Sequence, residues 1–218
     1  MIRLLEDNGS GRCFIVIREA DCYQSLAGRL VSALPAVTRT LLLETERVNN
    51  QNWYQLTEGL EQVLKEKKIR QASFVALGNT CSLVQNLSLT HPRKVRTLVL
   101  IDGATRPAPG IYTRLINWCE QSLPLGLPFR SHMRGFDGRP FLQRIRVPVL
   151  IVTTERANDF ERSEAEIMAR HLPTCWYVNL DFSGDCKQEV STILDFEKVP
   201  ARCPQKNRKL VHATSTAS

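Results

Sequence analysis

The turn Gly78-Asn79 opens onto Thr80 and Cys81, two side chains that could attack a carbonyl carbon from the start of a helix. A thiol at a helix N-terminus has its pKa lowered by the helix dipole, which makes Cys81 one candidate nucleophile. The Thr80 hydroxyl is the other; it needs a base to activate it, and its methyl group crowds attack. The bland alternative assigns Thr80 to N-capping the helix and Cys81 to core packing. A base would ordinarily be histidine, and there are four: His91, His132, His171 and His212. His91 falls at a helix end beside Pro92 and His171 at the end of another helix, and both read as structural, while His212 lies in the tail. Only His132 is placed to lean over such a site.

Metal and cofactor chemistry find less support. The seven cysteines, at 13, 22, 81, 119, 175, 186 and 203, form no C-x-x-C pair and no Cys/His ligand spacing. An odd count without framework spacing points to free thiols in a reducing compartment, so a cytoplasmic protein without metal or cofactor is expected. The N-terminus lacks a basic region followed by a long apolar run, and the longest apolar stretches are strand-sized. A soluble protein with no membrane span follows.

These residues must be positioned by regular elements, and the sequence alternates short apolar runs with segments of helical period. Cys13–Arg18, Thr38–Glu44, Ser73–Leu77, Val95–Ile101, Val147–Thr153 and Thr174–Leu180 read as six strands. Helices are expected over Tyr23–Leu34, Trp53–Lys68, Thr80–Thr90, Ser163–His171 and Lys187–Phe196. Strands alternating with helices predict a mostly parallel six-stranded sheet in a three-layer α/β/α sandwich. Residues 104–146 carry five prolines and one expected helix, Ile111–Gln121, and read as an insertion between sheet elements. The chain is expected to form a single domain over 1–198, with a disordered tail over 199–218.

Leu77–Gly103 resembles the nucleophile-elbow region of the α/β-hydrolase superfamily, as a short and degenerate member. The family shows G-x-S-x-G, a helix, a His/Tyr-Pro-x-x-Val stop and a strand of the LVLID type. Here His91-Pro92-Arg93-Lys94-Val95 and Leu98-Val99-Leu100-Ile101-Asp102 match that order. Ile145–Val152 resembles the strand before the family's catalytic acid, and the insertion sits where the family places its cap. The resemblance spans Cys13 to Phe196, leaving the family's two opening strands missing. Cys13–Arg18 is then expected to be an edge strand that could pair two copies of the chain into a homodimer.

What the resemblance implies for chemistry is mostly loss. One alignment puts Thr80 in the nucleophile slot with Ser82 on the second glycine; another, anchored on Pro92, puts Gly78 there. Neither leaves a serine. Asp185 stands where the family's histidine follows the last strand, and an aspartate cannot shuttle a proton near neutral pH without a strongly raised pKa. The acid position falls on Ala157, with Asp159 or Glu155 as substitutes. Arg18-Glu19-Ala20 replaces the His-Gly turn whose backbone helps an oxyanion. The expectation is a pseudoenzyme that acts by binding a small molecule or a protein. The alternative is an ester or thioester acyl-transfer hydrolase using Cys81 or Thr80, supported by Asp185 or Asp159.

Charge adds one further expectation. The net charge is +7, from 29 Lys+Arg against 22 Asp+Glu, with part of the excess in Arg130, Arg134, Arg139, Arg144 and Arg146. Such a basic cluster favours an anionic partner, although no aromatic residues interleave it as a nucleic-acid platform requires.

Overall fold

The computed structural model describes residues 1–48, 53–106, 137–182, 184 and 186–198. Seven strands form one sheet: β1 (Ile2–Asn8), β2 (Arg12–Glu19), β3 (Thr38–Thr45), β4 (Ala72–Leu77), β5 (Val95–Ile101), β6 (Val149–Thr153) and β7 (Cys175–Asn179). Their spatial order is β1-β3-β2-β4-β5-β6-β7. Every pairing is parallel except that of β1 with β3, which is antiparallel. Among the described residues five α-helices accompany them: α1 (Gln24–Ala33), α2 (Trp53–Glu66), α3 (Thr80–Thr90), α4 (Asp159–His171) and α5 (Lys187–Glu197).

The alternation of side chains along each strand divides the core in two. Ile15, Ile17, Leu41, Leu43, Phe74, Ala76, Leu98, Leu100 and Ile151 face one side, where Leu60, Leu64, Val84, Leu87, Ala165 and Met168 of α2, α3 and α4 cover them. Phe14, Val16, Leu42, Val75, Val99, Leu150 and Val152 face the other, beneath Leu26 and Leu30 of α1 and Val190, Ile193 and Phe196 of α5. The three-layer α/β/α sandwich is therefore as the apolar strand runs require.

Two expectations change. The sheet has seven strands rather than six, because Ile2–Asn8 adds an antiparallel edge strand. Its alternation is weak and it ends in Glu6-Asp7-Asn8, so it lacks the continuous apolar run that marks the inner strands. Cys13–Arg18 is accordingly no edge: β2 lies between β3 and β4, bonded on both sides. It offers no free backbone for pairing two copies of the chain, and the homodimer expectation loses the edge on which it rested.

Helix α4 also starts four residues before the expected Ser163. Asn158 accepts a hydrogen bond from the Glu161 N–H at 3.0 Å while Glu161 accepts from the Asn158 N–H at 2.9 Å, a reciprocal capping box. The expected helix Ile111–Gln121 and the tail 199–218 lie outside the described residues. Both described ends of the insertion meet buried Glu164 of α4. Its carboxylate accepts from the Thr105 N–H at 3.2 Å and pairs with Arg139 and, at 3.6 Å, Arg106. Burial works to raise the Glu164 pKa, but the bonds from Arg139 and Thr105 outweigh it and hold it below the ordinary value.

Candidate functional site

In a parallel sheet the strand C-termini form the edge where loops gather and ligands bind. The turn between β4 and α3 sits on that edge. β4 ends at Leu77, α3 begins at Thr80, and the residue turning the corner is Gly78, with φ +61°. That left-handed conformation is costly for a residue with a side chain. A Cβ at Gly78 would meet the Tyr23 ring, with Cε2 only 2.8 Å away. The aromatic ring thus occupies the space above the turn. Tyr23 itself lies at φ +56° in the loop before α1. Burial, then the nearby carboxylates Asp102 and Glu161, push its phenol well above the ordinary range.

Thr80 and Cys81 are both fully buried. The Thr80 hydroxyl accepts from the Leu77 N–H at 3.1 Å and faces the Leu77 and Ile17 carbonyls at 2.9 and 3.0 Å. It ties β4, β2 and the start of α3 together. The helix-cap position is Asn79, whose side chain makes no capping bond, so Thr80 is not the cap. The Cys81 thiol donates to the Ala76 carbonyl at 3.3 Å. Burial, then Asp102, push this thiol well above its usual pKa. The dipole effect expected of a helix N-terminus is outweighed by loss of water.

The other expected site residues do not gather here. Asp159 is exposed in the first turn of α4, where a carboxylate favours the helix dipole. Glu155 is exposed as well, and Ala157 is buried. His91 follows α3 and His171 ends α4, so both stand at the N-terminal edge of the sheet, opposite the turn. His91 contacts Glu61 at 3.3 Å, and the His171 Nδ1 lies 2.8 Å from the Ile167 carbonyl. Asp185, His132 and His212 lie outside the described residues.

What does surround Gly78 is a set of buried polar groups that largely satisfy one another. Arg18 pairs with Glu44 at 2.6 Å and donates to the Glu19 carbonyl at 3.0 Å. Glu19 accepts from the Val48 N–H at 2.7 Å and from Asn79 Nδ2 at 3.3 Å. Burial raises the Glu19 pKa, against the bonds from Val48 and Asn79. The Ala20 N–H, in the turn where an oxyanion would want a donor, is bonded to the Thr45 carbonyl at 2.7 Å. A carboxylate and a spent amide are poor company for a developing negative charge.

Asp102, beyond β5, completes the set. It has φ +48° and accepts from both the N–H and the hydroxyl of Thr154 at 2.7 Å. Burial raises its pKa, opposed by those bonds and by Arg162 and Arg156. Tyr23, Asn79, Asp102 and Thr154 were not singled out as site residues from sequence. The readable signal was a polar residue ending each apolar strand run, as Asp102 does.

No protein-family model matches the sequence, and no curated protein matches it. Solved structures do. An enol-lactonase from Burkholderia xenovorans LB400 aligns with TM-score 0.65 at 18% identity, covering 89% of this chain and 95% of that one. A thermophilic esterase from Thermogutta terrifontis aligns with TM-score 0.66 at 12% identity, covering 89% and 92%. A hydrolase enzyme from a Medee basin deep-sea metagenome library gives TM-score 0.65 at 16% identity, covering 89% and 93%. The chain has the α/β-hydrolase fold.

Within the α/β-hydrolase fold the nucleophile sits on the sharp strand-to-helix turn at the top of the sheet. The residue with that geometry here is Gly78, which favours the alignment anchored on Pro92. Thr80 is two residues into the corner and faces inward.

The buried charge at Asp102 gives a test of this electrostatic description. Asparagine keeps both bonds to Thr154, accepting from the N–H and donating to the hydroxyl, and it tolerates a left-handed φ. A folded-state pKa above the unfolded one means that stability present in acid is lost as pH rises through the folded value. Asp102→Asn should therefore be more stable than the parent at pH 7 and lose that advantage as the pH falls below the unfolded aspartate value, so that none is left by about pH 3. Urea denaturation at the two pH values measures this; equal effects at both would refute the buried-charge account.

Proposed function

We propose that this α/β-hydrolase-fold protein is non-catalytic and acts by binding a ligand or partner. One observation carries the reading: the turn position where the fold exposes a nucleophile is glycine, with the Tyr23 ring packed over it. The residues around it support the same view. Thr80 and Cys81 are buried and bonded to backbone carbonyls. Among the described residues both histidines lie on the far edge of the sheet, and a histidine base at the turn is therefore lacking among them.

The location we propose is a reducing compartment such as the cytoplasm. Cys13, Cys22 and Cys81 are free thiols, and no described helix is long and apolar enough to cross a membrane. The proposed anionic partner is not held by every arginine of the 130–146 cluster. Arg139 is engaged with Glu164, and Arg144 lies over the Phe141 ring at 5.4 Å. Arg130 and Arg134 lie outside the described residues.

Incubating the full chain with a fluorophosphonate and with a thiol-directed acylating probe, followed by peptide mapping, tests the reading. No adduct on the peptide containing Gly78 to Ser82 is expected under native conditions. A stoichiometric adduct at Thr80 or Cys81 that turns over with an ester substrate would restore the hydrolase alternative.

A further inference from the structure

At the N-terminal edge of the sheet, opposite the turn at Gly78, a cleft of about 600 Å³ is lined by Arg12, Cys13, Arg39, Lys68, Arg70 and Arg96, with Gly11, Ile69 and Gln71 between them. The cations come from separate stretches of chain: the start of β2, the start of β3, the loop between α2 and β4, and the start of β5. Bringing like charges together from distant segments costs free energy unless something negative offsets it. Two carboxylates do so in part. Asp7 holds Arg39 at 2.9 Å and also Lys67 at 3.0 Å. Glu197 is shared by Arg12 at 3.8 Å and Arg96 at 3.9 Å. Lys68 and Arg70 have no acidic partner among the described residues, and both are exposed. The Cys13 thiol, pushed up to about 11 by burial, stays neutral and offsets nothing.

The position of Lys68 is a second observation. The Lys68 N–H bonds to the Lys65 carbonyl at 3.0 Å and the Ile69 N–H to the Leu64 carbonyl at 2.8 Å, the paired bonds that end α2 in a Schellman motif. The residue at the left-handed position of that motif is Lys68, at φ +54°, where glycine would be the relaxed choice. A strained lysine is kept at a place where the fold alone would prefer no side chain.

We propose that this cleft binds a small phosphorylated molecule carrying at least two phosphate groups. Guanidinium groups meet phosphate oxygens in bidentate pairs, and five cations against two carboxylates leave charge for more than one phosphate. The volume falls within the roughly 300–1,000 Å³ of small-molecule sites. The lining carries no aromatic side chain on which a base could stack, which favours the phosphates over nucleobases as the recognised part and disfavours single-stranded nucleic acid. The inference gives the binding reading above a ligand class. It does not depend on the loss of catalysis: a chain that takes an acyl probe and still binds polyphosphate keeps this proposal and loses the other.

Calorimetric titration of the full chain with inorganic tripolyphosphate at low salt is the test. Binding tighter than about 100 μM is expected, at least about tenfold weaker for orthophosphate, with affinity falling as salt is raised. Lys68→Gly relaxes the strained backbone, so the variant should fold at least as stably as the parent and bind about tenfold more weakly. Arg70→Glu should weaken binding further, while Arg156→Glu, at the opposite edge of the sheet, should change it little. Adenosine triphosphate should bind no more than a few-fold better than tripolyphosphate. No binding of tripolyphosphate, equal loss in Arg156→Glu, or undiminished binding in Lys68→Gly with Arg70→Glu would overturn the proposal. So would binding confined to an oligonucleotide or to vesicles of anionic lipid.

Discussion

Gly78→Ser should destabilise the fold by about 2–4 kcal/mol and yield no esterase, although it places a serine at the fold's nucleophile turn. Two costs combine. The backbone at Gly78 is left-handed, and any Cβ there meets Tyr23 Cε2 at 2.8 Å. The ring must swing away or the turn must open. A serine gained in this way still lacks a histidine base among the described residues, since His91 and His171 stand at the other edge of the sheet. It also lies next to Asn79, whose side chain is bonded to the Glu19 carboxylate. Chemical denaturation of Gly78→Ser with and without Tyr23→Ala separates the costs. The substitution should cost less in the Tyr23→Ala background, by about 1–2 kcal/mol, with the backbone cost remaining. Equal costs in the two backgrounds would show that the ring does not fill the turn. Ester turnover by Gly78→Ser that is abolished by peptide-mapped acylation at position 78 would show that the surrounding machinery survives.

That expectation depends on details of very different legibility in the sequence. The inner strands were readable because a sheet covered on both faces needs continuous apolar runs such as FIVI, FVAL and LVLI. The strand Ile2–Asn8 was not, since an edge strand needs only a few inward side chains, and its charged end reads as loop. The start of α4 was available but missed: Asn158 and Glu161 have the spacing of a capping box ahead of an apolar face.

The site was legible only as a set of absences. Sequence could show that no serine falls in the nucleophile slot, and it left two alignments open. The choice between them rests on one backbone angle, at Gly78, which propensity cannot supply. The ring over that turn belongs to Tyr23, more than fifty residues away along the chain, and its placement follows from the packing of α1 against the sheet. Cys81 shows the opposite failure. Its position at a helix start suggested a lowered pKa, but the helix is buried almost all round, and desolvation outweighs the dipole. The cationic cleft was also hidden, because its members are spread from Arg12 to Arg96 and form no run in sequence.

Burial of Cys81 has a second measurable consequence, at Gly103. A Cβ on Gly103 would fall 2.3 Å from Cys81 Sγ and 2.6 Å from its Cβ, distances that no packing adjustment of a fixed side chain can accommodate. Cys81 cannot yield easily. It is fully buried, its thiol is bonded to the Ala76 carbonyl, and its own backbone forms the first turn of α3. Gly103→Ala must therefore push α3 away from β5, next to the turn that carries Gly78. A loss of about 3 kcal/mol or more is expected, corresponding to a fall in Tm of about 10 °C for a chain of this size. Cys81→Ala should recover only part of it, because the clash with Cβ remains when the sulfur is gone. Cys81→Gly removes both contacts and should recover more, less the helix-propensity cost of glycine. A thermally neutral Gly103→Ala would mean that the helix start is looser than this packing requires. Cys81 could then reach solvent, and the thiol would again be available as a nucleophile. The stability of this one glycine variant thus bears on whether the turn is a packed corner or a site that can open.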